Sequence, residues 1–83
     1  MTERNFNFIV VREQVVADGR KPTYAVFNRA KDIAGMDDAV MGVLMWFAPF
    51  KQNCYIPCGP GVLTGSYMEE IVQAIKLIAA GKL

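Results

Sequence analysis

The sequence contains no histidine and only two cysteines among its 83 residues. Histidine is the side chain that titrates closest to neutral pH, so acid–base catalysis would fall to carboxylates, cysteine or lysine. Neither cysteine has a histidine base to activate it as a nucleophile. We interpret the carboxylate pairs Asp37-Asp38 and Glu69-Glu70 as favourable charges at helix starts. We therefore predict that the protein is not an enzyme and binds no cofactor.

The two cysteines, Cys54 and Cys58, are too few for a structural zinc site. Such a site requires four nitrogen or sulfur ligands, which one chain could complete only by sharing a four-cysteine site with a second copy. Their spacing also differs from the Cys-x-x-Cys motif of thiol oxidoreductases. We predict no metal site and expect two buried thiols beside a proline turn. Whether these thiols are free, paired or shared stays open.

Strong net charge and long apolar runs are also missing. The net charge is +1, so no strong field attracts nucleic acid. The longest uncharged apolar run, 39–50, is shorter than the roughly 20 residues that cross a bilayer. The polar start of the chain does not have the pattern of a secretory signal, and two cysteines suit a reducing compartment. We expect a cytoplasmic protein that does not contact a membrane.

Apolar residues are abundant: 53% of the chain is hydrophobic and 20% is charged. Ordinary globular domains have roughly 45–50% and about 25%. A single domain spanning 1–83 buries only about 60–65% of the surface that its unfolded chain exposes. We therefore expect some apolar side chains to face outward, against a protein partner or a second copy of the chain.

The clearest local signal is a helix over 66–80. Ser66 and Glu69 have the spacing of a capping box, and Gly81 suits the left-handed residue that closes a helix. One wide side of this helix is apolar and faces the core. Its members are Met68, Ile71, Val72, Ala74, Ile75, Ile78 and Ala79.

The N-terminal part predicts a β-hairpin. Residues 5–16 and 23–28 are rich in β-branched and aromatic residues, and Asp18-Gly19 between them suits a type I′ turn. A two-residue loop would pair Val11 with Val26. A longer loop reaching Pro22 would shift that pairing, so the register stays open.

The middle of the chain predicts a second helix. Asp37-Asp38 offers a helix start, residues 39–48 are apolar on every side, and Pro49 ends the run. Residues 29–36 suit either a helical turn or a short edge strand, and 54–56 suit a short strand. The predicted fold is α+β: an antiparallel hairpin, with or without a third short strand, covered by two α-helices.

The predicted interaction residues lie in and just after this second helix. Methionine adapts to irregular partner surfaces, and tryptophan is a favoured interface anchor. The plainer alternative is that these residues are simply core. We predict that one side packs on the sheet and the other contacts a protein. The residues are Met41, Met45, Trp46, Phe47 and Phe50.

Two other functions are alternatives to protein binding. A nucleic-acid interface would use the basic residues of the hairpin region, namely Arg12, Arg20, Lys21 and Arg29. A phosphate ligand would bind the glycine-rich loop from Gly59 to Ser66, which precedes a helix start. That loop has no Gly-Lys-Ser/Thr ending, and Pro60 removes an amide donor, so we rank it last.

The layout resembles that of small phage-encoded inhibitors, anti-CRISPR proteins among them, which are often compact α+β chains. The features behind this resemblance are the Asp18-Gly19 hairpin, the helix after Asp37-Asp38 and the capped helix at Ser66. None is a family motif, and the resemblance assigns no functional residue. It implies occlusion of a larger protein complex. The predicted function is a small, non-enzymatic binding protein that forms a homodimer or larger homo-oligomer.

Overall fold

The fold was determined as a computed structural model, which describes residues 2–14, 21–59 and 61–83. Within these ranges, five antiparallel strands form one sheet in the order β1-β2-β3-β4-β5, so strands adjacent in the sequence are adjacent in the sheet. A short helix, α1, follows β3, and one long helix, α2, ends the fold. The elements are β1 (Glu3–Asn5), β2 (Ile9–Gln14), β3 (Thr23–Asn28), α1 (Arg29–Ile33), β4 (Val40–Phe47), β5 (Gln52–Pro57) and α2 (Gly65–Ala79).

The predicted fold class, a hairpin covered by two helices, is wrong. The apolar segment expected to form the second helix is strand β4, which lies between β3 and β5. A run with no polar face fits a strand with neighbours on both sides as well as it fits a buried helix, so periodicity cannot separate them. The result is a mostly-β fold with one long helix. The short strand considered at 54–56 lies within β5.

The register of the β2–β3 hairpin is the one expected for a two-residue loop, with Val11 opposite Val26 and Val10 opposite Phe27. The predicted Asp18-Gly19 turn lies outside the described residues. After β3 the chain takes the helical alternative for 29–33. The side chain of Asn28 caps α1 by accepting a hydrogen bond from the Lys31 amide at 3.1 Å.

The predicted C-terminal helix is present, but its N-cap is Thr64 and not Ser66. The Thr64 hydroxyl accepts a hydrogen bond from the Tyr67 amide at 3.4 Å. At the other end, Gly81 has a φ of 69° and its amide donates to the carbonyl of Ile78. The Lys82 amide donates to Leu77 at 2.8 Å, which completes a Schellman motif. The prediction of a capping box at Ser66 and Glu69 was wrong, and the prediction that Gly81 ends the helix is confirmed.

The core lies between α2 and one face of the sheet, which we call the helix-covered face. From the strands it contains Ile9, Val11, Tyr24, Val26 and Leu44, and from α2 it contains Ile71 and Ala74. The helix contact is narrower than the predicted apolar side, because Met68 and Val72 remain about half exposed. One strip of α2 and one face of the sheet therefore form the core.

A buried carboxylate joins α2 to the start of β2. Glu70 is 7% exposed, and its Oε1 accepts hydrogen bonds from the amides of Phe8 (2.8 Å) and Ile9 (3.1 Å). Its Oε2 accepts from the Asn7 amide at 3.1 Å. Three consecutive amides satisfy the charge, which a buried carboxylate requires. Glu70 therefore acts as a tertiary clamp, and the interpretation as a helix-start charge missed this contact.

Candidate protein-interaction surface

The sheet face opposite α2 presents a group of apolar side chains, which we call the open face. Its residues are Phe27, Val40, Val43, Met45, Phe47 and Ile56. Successive side chains of a strand point to opposite faces of a sheet. Because Leu44 points into the core, Val43 and Met45 on either side of it point away from the helix.

A β-bulge in β4 places Val40 on the open face. Val26 lies opposite Gly42, but Phe27 lies opposite Val40, so Met41 is an extra residue between the two pairs. Met41 packs against the core cluster. Because of the bulge, the adjacent side chains of Val40 and Met41 lie on opposite sides of the sheet.

Three side chains of the open face are well exposed, and the other three, Phe27, Val43 and Met45, are half-buried. Val40 and Ile56 are each 41% exposed, and Phe47 is 38% exposed. Phe50, in the 3-10 turn at 48–50, is 66% exposed and packs against Phe47 with ring centroids 5.0 Å apart and ring planes tilted by 57°. This pair extends the apolar surface beyond the end of β4. Exposed large apolar side chains grouped in this way mark interaction surfaces more often than single ones do.

Charged groups lie at the edges of the open face and are paired. The guanidinium of Arg12 stacks 4.6 Å from the ring centroid of Phe27 and forms an ion pair with Asp32 of α1 at 3.1 Å. Side-chain hydrogen bonds with Asp32 and Glu3 raise the pKa of Arg12. The six residues of the face carry no charge. The chemistry of this surface therefore suits an apolar partner.

A second ion pair lies near Val40. Lys31 and Asp38 are 2.8 Å apart, and this hydrogen bond lowers the pKa of the Asp38 carboxyl. Both side chains are largely solvated, so the pair contributes little to stability.

The structure divides the five predicted interaction residues between the two faces. Met45 and Phe47 lie on the open face, and Phe50 adjoins it. Met41 packs against the core, and Trp46 lies on the side of α2, near Ile75 and Ile78. A helix would have grouped these residues differently, because its repeat is 3.6 residues and that of a strand is 2.

Four residues of the open face were missed by sequence reasoning: Phe27, Val40, Val43 and Ile56. Alternation of apolar and polar residues would have revealed them, but β4 is apolar at both alternating sets of positions. Only the pairing with β3 and β5 separates the two sets.

The four basic residues of the nucleic-acid alternative are not brought to one surface among the described residues. Arg12 is paired on the open side of the sheet, and Arg29 donates to the carbonyl of Phe6 at 3.0 Å. Lys21 lies over the ring of Trp46 on the helix-covered side. Arg20 lies outside the described residues. Nucleic-acid binding by this set stays a prediction.

The glycine-rich loop from Gly59 to Ser66 borders a cleft of about 680 Å³. Asp37, Asp38 and Lys31 line this cleft; because Lys31 is paired with Asp38, it is the carboxylate of Asp37 that would repel a phosphate. The Thr64 hydroxyl already accepts the hydrogen bond of the Tyr67 amide in the first turn of α2, so that amide is not available to a phosphate. These contacts do not favour the phosphate alternative at this loop.

Cys54 and Cys58 are free thiols, with Cys54 partly buried and Cys58 exposed, so the expectation that both are buried is wrong. Within 2–14, 21–59 and 61–83, no group of three or more Cys, His, Asp or Glu side chains could hold a metal ion. Nor is any helix in these ranges long and apolar enough to cross a membrane. Comparison of the chain with protein-family models, curated proteins and solved structures yields no match.

Proposed function

We propose that this protein is a small, non-enzymatic binding protein that acts through the open face, and that the surface it binds there is a second copy of itself. The observation that supports this is the contrast within β4. Leu44 is fully buried under α2, whereas Val40 and Phe47 of the same strand remain about 40% exposed on the other side. A second protein surface would bury these side chains at about 25 cal/mol for each Å² of apolar area.

Three properties favour a second copy as the partner. An isologous contact requires a surface that complements itself, and an uncharged apolar face does so without charge pairing. Two sheets pack face to face about 10 Å apart with interdigitating apolar side chains, which forms a β-sandwich core. The molecule measures 34 × 24 × 24 Å, so one of its broad sides has room for the roughly 800 Å² per partner of a standard interface.

Inhibition of a larger protein complex, in the manner of phage-encoded inhibitors, stays a prediction. One of the three layout features behind that resemblance, the helix after Asp37-Asp38, is strand β4 instead. The final helix is present, and the hairpin strands are paired. A dimer would present two copies of α2 on opposite sides, each with Met68 and Val72 half exposed.

Sedimentation equilibrium from about 1 to about 200 µM, a range that spans moderate to weak self-association, tests the proposal. The informative variant is Ile56→Lys on the open face. Its matched control is Val72→Lys on the outer side of α2, where exposure is similar (47% against 41%). We expect a wild-type dimer, weakening of at least tenfold by Ile56→Lys because a lysine is buried against apolar side chains, and no weakening by Val72→Lys.

A wild-type protein that stays monomeric throughout this range would overturn the self-association. Equal weakening by both variants would also contradict the proposal, because it would place the contact elsewhere. Circular dichroism of each variant confirms that the sheet and helix are retained before the association data are compared.

A further inference from the structure

A groove on the other side of the molecule has a composition unlike that of the open face. It lies between the second half of α2 and the strand ends near Trp46, with a volume of about 500 Å³. Small-ligand sites have volumes of roughly 300–1,000 Å³. Its apolar side includes Tyr24, Trp46 and Ile78, and its charged side includes Lys21, Lys51 and Lys76.

The charge of this groove has one sign. Three lysines line it, and its described lining contains no carboxylate. Within the described residues, none of the three forms an ion pair. Lys21 lies with its Nζ 4.2 Å from the centroid of the Trp46 ring. The carboxylate of Glu13, which lies opposite Tyr24 in the sheet, does not line the groove. It accepts a hydrogen bond from the Thr2 amide at 3.1 Å.

Lys51 occupies a backbone conformation that favours glycine. Its φ of 52° makes it the one non-glycine residue with positive φ in the described chain. Lys51 closes the 3-10 turn at 48–50, where its amide donates to the Ala48 carbonyl at 3.1 Å. Glycine would make the same turn with less strain but would supply no charge to the groove. The turn therefore accounts for the backbone conformation, and a lysine at this position adds a charge to the groove.

We propose that this groove binds a phosphate monoester attached to a flat ring, of the size of a mononucleotide. Lysine binds phosphate as a point charge, and a dianion neutralises three ammonium groups better than a single carboxylate does. Lys21 would move from the Trp46 ring to the phosphate, and the flat ring of the ligand would take its place against the aromatic side chain, where base–aromatic stacking is favourable. Because the groove lies on the side of α2, this site does not depend on the open face.

The protein contains one tryptophan, and it lies in the groove. The indole N–H of Trp46 therefore gives a single NMR signal that reports on the site. We would titrate the ¹⁵N-labelled protein with AMP, adenosine and inorganic phosphate at low salt. We expect AMP to shift the indole signal with a Kd below about 1 mM, and the two partial ligands to bind at least about tenfold more weakly.

Lys51→Gly separates a binding role from a structural one. The substitution relieves the strained φ, so the melting temperature should stay the same or rise, whereas AMP affinity should fall at least fivefold. Lys82→Ala removes one charge outside the groove and should leave AMP affinity within twofold. A short oligonucleotide with a 5′-phosphate identifies the source of the ligand. Tighter binding than AMP indicates a nucleic-acid end, and equal or weaker binding indicates a free nucleotide.

An indole signal that does not move with AMP at about 10 mM, well above the expected Kd, would overturn the proposal. Unchanged AMP affinity in Lys51→Gly would overturn it as well, since a merely structural lysine predicts that result. Loss of dimerisation through the open face would leave the AMP titration unaffected, so the two proposals fail separately.

Discussion

The two faces of the sheet differ in how completely they are covered, although the same strands build both. On the helix-covered face, Leu44 is fully buried. On the open face, its neighbour Met45 remains partly exposed. Apolar side chains on both faces of an antiparallel sheet are unusual when only one face is covered. The part of the open face on β4 and β5 therefore has the composition of a core without the cover that a core requires, whereas Val10, on the same side of β2, is only 2% exposed.

Polar contacts distinguish the faces further. On the helix-covered side, Glu70 ties α2 to three amides, and the hydroxyl of Tyr55 donates to the Met41 carbonyl at 3.0 Å across Gly42. A Cβ at Gly42 would meet the Tyr55 side chain and the carbonyl of Ile56. On the open side, charges are paired only at the edges. The covered face is thus specified by directional contacts, and the open face by apolar surface alone.

The largest expected effect comes from truncating Leu44, and its neighbour Met45 provides the comparison. We expect Leu44→Ala to lower the free energy of unfolding by about 3 kcal/mol, because it leaves a cavity in a closed core. Met45→Ala should cost about 1 kcal/mol in the monomer, because its side chain is only partly buried and solvent can fill the space. Urea denaturation at low micromolar concentration measures both.

Raising the protein concentration sharpens this comparison. If a second copy covers the open face, the cost of Met45→Ala should grow with concentration, because dimerisation stabilises the native state by mass action. The cost of Leu44→Ala should stay constant. Equal costs at every concentration would mean that the two faces do not differ in the way proposed.

An intermediate effect is expected from removing the charge of the buried clamp. Glu70→Gln keeps the shape but replaces an acceptor-only carboxylate with an amide whose NH₂ faces a backbone donor. We expect a loss of about 2 kcal/mol, since a hydrogen bond to a charged group contributes roughly 1.5–3 kcal/mol. This corresponds to a decrease of about 10 °C in melting temperature for a domain of this size.

The exposed neighbour Glu69 provides the control for this variant. Glu69→Gln should change stability by no more than about 0.5 kcal/mol. Similar melting temperatures for the two variants would show that the Glu70 contacts do not hold α2 to the sheet.

The smallest effect concerns acid stability at the edge of the open face. Lys31 lowers the pKa of Asp38 in the folded protein. A lowered pKa contributes stability that is present above the unfolded value of about 3.9 and is lost as the pH falls through the folded value. Asp38→Asn should therefore reduce the melting temperature slightly at pH 6 and make it less sensitive to pH below 4.

Thermal melts from about pH 2 to about pH 7, which span the carboxyl titration range, measure this difference. Asp37→Asn is the control, because Asp37 forms no ion pair within the described ranges. A melting temperature that falls more steeply with acid in Asp38→Asn than in the wild type would contradict this prediction.

Local signals in the sequence predicted several elements correctly. Gly81 marked the end of α2, and the two-residue loop alternative matched the pairing of Val11 with Val26. The position of the N-cap was missed by two residues, because Thr64 and Ser66 are both good capping residues and only the path of the preceding loop distinguishes them. The fold class was missed because β4 has no polar face to show its period.

The candidate site was only partly predictable for the same reason. Phe47 and Phe50 were predicted to be interaction residues and share one side of the molecule, but Trp46 lies on the opposite side of the sheet from Phe47. The clamp formed by Glu70 joins residues more than 60 positions apart, and no local pattern indicates such a contact.

The order of residues along the chain was enough to specify the final helix, its glycine stop, the two strands of the β2–β3 hairpin and an excess of apolar side chains. These depend on backbone preferences and on composition, both of which are local or additive properties. Whether 40–47 forms a strand, which side chains share its open face and where Glu70 finds its donors were decided by strand pairing and by packing under α2. In a strand, successive side chains point to opposite faces, but a segment that is apolar at every position does not show this alternation in its sequence. Only the pairing of β4 within the sheet therefore determines which of its side chains are buried and which are exposed.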